Sequence, residues 1–210
     1  MRVRCKIREN IWSAAEAAEL TGVNPLLQRA WRNRGFLGPR QHPRGLTAVE
    51  IAQLRTLKIV KDRGVDLEQA APLAERARDV LWFAISHDPF RLIEPVGGFD
   101  QQRAFNSALE AAVNGVDGDL SLITKALSIR DRPVVRFVAA IDDEQVAVAS
   151  LSDIFDPEET ETALILDLLV IGRRLAEQSI RPLLLAHDIT IDHSRDLDGA
   201  YPQLEIQVEA

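Results

Sequence analysis

The sequence predicts an α+β protein with a mostly helical first part, residues 1–88, and a second part of mixed helices and strands, residues 89–210. Helix caps and helical spacing of apolar residues dominate the first part. Runs of β-branched residues between turn residues mark the second part, where we expect a small antiparallel sheet. A stretch rich in proline and glycine, residues 86–100, separates the two, and we place the domain boundary there.

The composition is that of a soluble globular protein: of 210 residues, 46% are apolar and 27% charged. Cys5 is the single cysteine, which excludes a disulfide framework within one chain and argues against a cysteine-based metal site. No stretch approaches the roughly 20 apolar residues of a membrane span. The basic N-terminus lacks the apolar run of a secretory signal. These features predict a cytoplasmic protein with no membrane partner.

The net charge of −7 hides a division along the chain. Residues 1–64 carry 13 Lys and Arg against 5 Asp and Glu, a balance of +8, and the remainder carries a balance of −15. Such asymmetry is typical of a protein that meets a polyanion at its positive end. The alternative is that the basic and acidic regions face each other.

Two short helices are predicted near the N-terminus. Ser13, followed three residues later by a glutamate, forms a capping box at the start of the first helix, and Gly22 ends it. Asn24 caps the second helix and Pro25 occupies its first position, where a missing N–H costs nothing. Because the turn between them has only three or four residues, the pair is a predicted helix-turn-helix whose second helix carries arginines.

Two further helices are expected after a loop at 38–46, whose prolines and glycines exclude a helix. Thr47 begins the third helix with a second capping box, and Asp66 caps the fourth. Pro72 either kinks the fourth helix or delays its start. The apolar residues at 81–85 either pack on their own chain or form a dimer contact.

The second part is predicted to alternate helices and strands. Its long central helix should open with the Asp156 cap, Pro157 and Glu159. In chain order we expect helices at 100–115 and 119–128, hairpin strands at 133–141 and 145–151, a helix from Asp156 to about Gln178, and strands at 182–192 and 203–209.

The first part contains one known sequence motif. It consists of a Gly-Val turn, a proline, an arginine with an aromatic residue two positions later, and then a glycine, an apolar residue and a proline. These fall on Gly22, Val23, Pro25, Arg29, Trp31, Gly35, Phe36 and Pro39, and are followed by Arg44, by Val49, Ile51 and Leu54, and by Gly64, Val65, Leu67 and Glu68. Over about residues 10–80 the chain resembles the DNA-binding domain of the MerR family of transcription regulators. The resemblance implies a winged helix-turn-helix, in which Ala30, Pro43 and Leu46 replace family aromatics.

Six residues at the start of the second helix and along it are candidates for the groove. The N-terminal residues of a recognition helix lie nearest the bases, and the candidates are Asn24, Leu26, Leu27, Gln28, Arg29 and Arg32. Glutamine can pair bidentately with adenine and arginine with guanine. The spacing leaves open which arginine reads a base.

Other residues are predicted to contact the DNA backbone. Arg34, Arg40 and Arg44 are candidates for phosphate contacts, which position a domain without reading sequence. Trp31 is either a packing residue or, as the resemblance implies, a phosphate donor through its indole N–H.

Three further patterns have more than one interpretation. Basic and apolar residues alternate over Arg2–Arg8, which predicts an edge strand, a flexible arm reaching the minor groove, or a solvated tail. Cys5 would sense oxidation only as an exposed thiolate. His187 and His193 should share one face of a strand with Ile189, as a metal site or as ordinary surface polar residues.

Together these observations predict a sequence-specific DNA-binding transcription regulator of bacterial type. It would act as a homodimer on a pseudo-palindromic site of double-stranded DNA. The acidic remainder would bind a small-molecule or protein effector, or supply the dimer contact. The alternative is an accessory DNA-binding protein, such as a phage-type excision or packaging factor. No catalytic motif and no cofactor motif is visible, so we do not predict an enzyme.

Overall fold

The computed structural model describes residues 1–75, 89–114, 136–141, 144–148, 163–192 and 203–208. They group into two compact units. The first unit takes the described residues of Met1–Asn10, Asp88–Arg132 and Pro182–Ala210, and the second takes those of Ile11–His87 and Pro133–Arg181. Each unit combines early and late segments of the chain, so the units do not coincide with the predicted ranges 1–88 and 89–210.

The described part of the chain holds nine strands and seven helices. They are β1 (Arg2–Glu9), β2 (Ile11–Trp12), α1 (Ala14–Thr21), α2 (Pro25–Asn33), β3 (Leu46–Thr47), α3 (Ala48–Asp62), α4 (Leu67–Glu75), α5 (Pro89–Leu92), β4 (Ile93–Pro95), α6 (Phe99–Asn114), β5 (Phe137–Ile141), β6 (Glu144–Val148), β7 (Ala163–Asp167), α7 (Leu168–Gln178), β8 (Leu184–Asp192) and β9 (Gln203–Val208).

Helices α1 and α2 of the second unit form the predicted helix-turn-helix. The Ser13 hydroxyl accepts from the Glu16 N–H, and the Glu16 carboxylate accepts from the Ser13 N–H at 2.8 Å, so the capping box is complete. Gly22 ends α1 with φ 75°, a conformation that other residues adopt at a cost. Residues 22–24 alone separate the two helices, which confirms the tight turn.

Helices α3 and α4 complete the N-terminal helical part of this unit and pack on each other. The loop after α2 is not helical, as predicted, and leads into β3, which pairs antiparallel with β2. Pro72 lies inside α4, which begins immediately after Asp66, so the proline does not delay its start. Helix α3 supplies the buried apolar residues Val49, Ile51, Leu54, Leu57 and Val60.

The second unit also holds a three-stranded antiparallel sheet in the order β6-β5-β7. Strands β5 and β6 are the predicted hairpin. The helix predicted from Asp156 to about Gln178 is wrong over 163–167, because this apolar run pairs with β5 as strand β7. Asp167 ends the strand and caps α7, since its carboxylate accepts from the N–H groups of Leu169 and Val170 at 3.0 and 3.2 Å.

The C-terminal end of α7 is tied to the helix-turn-helix within this unit. The Arg181 guanidinium lies over the Trp12 ring and forms an ion pair with Glu16 at 2.7 Å. Hydrogen bonds from Ser13, and the charge of Arg181, lower the pKa of Glu16. One carboxylate therefore caps α1 and holds the segment after α7.

The first unit is built on a four-stranded mixed sheet in the order β4-β8-β1-β9. Strand β1 runs antiparallel to β8 and parallel to β9. The N-terminal segment is therefore an interior strand, which corrects the expectation of an edge strand, an arm or a tail. The small antiparallel sheet expected within residues 89–210 corresponds to β6-β5-β7, whereas the sheet of the first unit is mixed. Helix α6 covers the sheet with Ala104, Phe105, Ala108 and Leu109.

Strand β8 contains a bulge at Asp188. Between the partners of Arg4 and Lys6, β8 has one residue more than β1. Asp188 has φ 50°, a left-handed conformation that aspartate tolerates better than most residues. The extra residue changes the alternation, so Ile189 is buried while His187 stays partly exposed. The prediction that these two share one face is wrong.

Cys5 points into the core of the first unit and is 3% exposed. Burial raises the pKa of its thiol to about 12. The group therefore stays a thiol near neutral pH, which argues against oxidation sensing through a thiolate.

Four predictions lie outside the described residues: the apolar helix end at 81–85, the helix at 119–128, the helix start at Asp156–Glu159, and His193. Within the described ranges, no three His, Cys, Asp or Glu residues are placed to hold a metal ion. None of the helices described is long and apolar enough to cross a membrane.

Candidate nucleic-acid interface

The turn that positions α2 is fixed by backbone contacts. The Thr21 hydroxyl donates to the Ala17 carbonyl at 2.6 Å and accepts from the Val23 N–H. Asn24 is the N-cap of α2, and its side-chain oxygen accepts from the Leu27 N–H at 2.8 Å. The direction of α2 relative to α1 is thus set by short hydrogen bonds in the turn.

Gln28 stabilises this turn from inside the unit. Its side chain is 6% exposed, and its amide nitrogen donates to the carbonyls of Ala14 and Val23 at 2.9 and 2.7 Å. A buried amide group whose nitrogen already donates to two carbonyls cannot pair with the edge of an adenine. This corrects the prediction that Gln28 faces the groove.

Arg32 is also engaged within the unit. Its guanidinium donates to the Gly38 carbonyl at 2.6 Å and forms an ion pair with Glu50 at 2.7 Å. The Arg32 side chain is 21% exposed and the Glu50 side chain 3%. The second Glu50 oxygen accepts from the Thr47 N–H and completes the capping box of α3. Arg32 therefore joins α2 to the loop and to α3, which corrects its assignment to the groove.

Trp31 is 3% exposed and belongs to the core of the second unit. It lies three residues after Gln28 on the same inward side of α2. Of the two interpretations offered for Trp31, the structure favours packing.

The outward face of α2 consists of Leu26, Arg29, Ala30 and Asn33, which are exposed and spaced by three and four residues. We call these four residues the outward face. Arg29 makes no hydrogen bond or ion pair within the described part of the chain. Sequence reasoning missed Ala30 and Asn33, although a spacing of four residues from Leu26 indicates Ala30 and the same spacing from Arg29 indicates Asn33.

The loop after α2 adds further positive charge. Arg34, Arg40 and Arg44 are exposed, and their guanidinium groups have no partner in the described ranges. No aspartate or glutamate occurs between Glu19 and Glu50 in the sequence. Arg32 is paired with Glu50, and among the described residues the other four arginines of this surface have no acidic partner, which favours a phosphate-rich ligand.

Gly45 holds the end of this loop against β2. A side chain at Gly45 would place its Cβ 2.4 Å from the Trp12 carbonyl oxygen and 2.7 Å from Cγ2 of Ile11. Contacts this short are not tolerated, and the nearest atom is backbone. The loop therefore reaches its position only with glycine at this residue.

We expect Gly45→Ala to destabilise the second unit by about 1–3 kcal/mol, because the backbone of β2 must move to admit the methyl group. Chemical denaturation followed by tryptophan fluorescence measures this loss. Gly38→Ala is the matched control, since no atom lies within 4 Å of the added Cβ there. Equal midpoints for the two variants would contradict the collision.

Comparison with known proteins bears on this helical part of the chain. Residues 12–77 match the family model described as MerR HTH family regulatory protein. The HTH-type transcriptional repressor CarH of Myxococcus xanthus is 46% identical over 61 residues, which cover 27% of this chain and 20% of that protein. The chain thus spans about a fifth of the relative it matches. Both findings confirm the resemblance of the N-terminal part.

Proposed function

We propose, from the premise that residues 12–77 are a MerR-type helix-turn-helix domain, that the protein is a transcription regulator that reads duplex DNA with α2. The observation that carries this proposal is the outward face of α2, which is exposed beside arginines that have no partner among the described residues. A major groove admits one α-helix, and phosphates line both of its sides.

The exposed residues suggest a division of roles. Arg29 lies on the outward face and would pair with a guanine. Arg34, Arg40 and Arg44 would contact phosphates and set the register of the domain. Asn24, whose oxygen caps α2, would offer its amide hydrogens to a phosphate at the positive end of the helix.

We further propose that two copies bind a pseudo-palindromic site. Helix α2 has nine residues, and only its outward face can meet base edges. One such helix reads few base pairs, so a second copy related by two-fold symmetry would supply the remaining specificity. Residues 65–210 carry a net charge of −15, so DNA would repel them. This part of the chain would instead bind an effector or a partner.

Selection of bound duplexes from a random pool, using the full chain, tests this proposal. We expect inverted half-sites whose centres are one helical turn, or a multiple of it, apart. Genome-wide binding in the source organism should then fall at scattered promoters. Recovery of no common sequence would contradict sequence-specific binding. Occupancy of a single recombination or packaging locus would favour the accessory role instead.

A further inference from the structure

Leu26 is the most exposed large apolar residue of the helix-turn-helix, at 76%. It lies in the first turn of α2, the end of a recognition helix that comes nearest to the bases. Its neighbour Leu27 is 37% exposed. Single apolar residues on a surface are common, but this one lies on the outward face beside Arg29, which has no partner in the part of the chain that the structure describes.

The spacing of Leu26 and Arg29 fits neighbouring base pairs. Residues three apart on a helix share a face and are separated by about 4.5 Å along its axis. Successive bases of duplex DNA are about 3.4 Å apart along each strand. Ala30, beside Arg29 on the same face, has a small side chain that lets the helix approach the groove closely.

The chemistry of the leucine side chain limits what it can recognise. It forms no hydrogen bonds, so it cannot pair with the donors and acceptors on base edges. In the major groove, thymine presents an apolar group, its C5 methyl. We propose that Leu26 is a specificity-determining residue that selects thymine through this methyl group, next to the guanine contacted by Arg29. This inference rests on the proposed function.

The test replaces thymines of the selected half-site by deoxyuridine, one at a time. Deoxyuridine lacks the methyl group and keeps every hydrogen-bonding atom of the edge. We expect one position at which the wild-type chain loses affinity by about fourfold, as for one apolar carbon returned to water. For Leu26→Ala, thymine and deoxyuridine at that position should bind equally well.

Ile180→Ala is the control, since Ile180 is 92% exposed on the second unit and is not on α2. This variant should keep the wild-type response to deoxyuridine. The inference is overturned if no thymine of the selected site responds, or if Leu26→Ala responds as strongly as wild type. If no sequence is selected at all, the proposed function itself fails, which separates the two outcomes.

Discussion

Arg29→Ala is expected to remove much of the sequence discrimination in DNA binding and to leave the unfolding midpoint unchanged. The side chain is exposed and makes no hydrogen bond or ion pair in the described ranges, so its removal costs the fold little. A bidentate arginine–guanine contact contributes about 1–3 kcal/mol of discrimination, and a dimer loses two. Specific binding typically exceeds non-specific binding by about 4–10 kcal/mol. Titrating selected and scrambled duplexes at one salt concentration measures the remaining discrimination.

Two further variants separate base reading from general attraction. Arg174→Ala removes the same charge from an exposed position of α7 and should leave discrimination unchanged. Arg29→Lys keeps the charge but lacks the planar fork of donors. If Arg29 reads a base, the lysine variant should discriminate less well than wild type although it keeps the charge. Wild-type discrimination by Arg29→Ala would refute the assignment.

Local signals predicted the starts of helices α1 to α4 well, but not that of α7, which begins at Leu168 after strand β7. Both capping boxes, at Ser13 and at Thr47, form with both of their hydrogen bonds. Each needs partners only three residues apart, so the sequence contains all the information required. The same holds for Gly22, whose left-handed conformation depends on the end of its own helix.

Distant partners explain the site residues that sequence reasoning misplaced. Gln28 and Arg32 lie on a polar, basic helix, and their spacing of four residues predicts that they share one exposed face. Their partners, Ala14 and Glu50, are 14 and 18 residues away, and no periodicity reveals such pairs. The signal available was Glu50, because a capping glutamate uses one oxygen on its helix and leaves the other for a cation.

The same reason applies to the two sheets. The sequence of β1 is compatible with an edge strand, an arm or a tail, because its partners β8 and β9 lie at the other end of the chain and leave no mark on it. A strand in which apolar and charged residues alternate has the same sequence pattern whether one or two strands pair with it. The bulge at Asp188 is invisible for a related reason: it exists only as a mismatch between two strands.

The Arg32–Glu50 pair leads to the largest expected loss of stability. Glu50→Ala should lower the free energy of unfolding by about 2–4 kcal/mol, below the range for a wholly buried pair because Arg32 is 21% exposed. The variant leaves the Arg32 guanidinium without its carboxylate and also removes the acceptor of the Thr47 N–H. Urea denaturation followed by tryptophan fluorescence measures the loss. Glu68→Ala, which removes an exposed first-turn acid from α4, should cost about 0.5 kcal/mol.

Glu50→Gln and Arg32→Met separate the ion pair from the cap. Glutamine can still accept from the Thr47 N–H, so Glu50→Gln should retain the cap and lose only the ion pair. Arg32→Met leaves a carboxylate that is 3% exposed without its cation, and the double variant removes both charges. Because an unpaired buried charge costs more than no charge, the double variant should be more stable than Arg32→Met alone. Simple additivity of the two losses would show that the pair stabilises nothing, and would return Arg32 to the candidates for DNA contact.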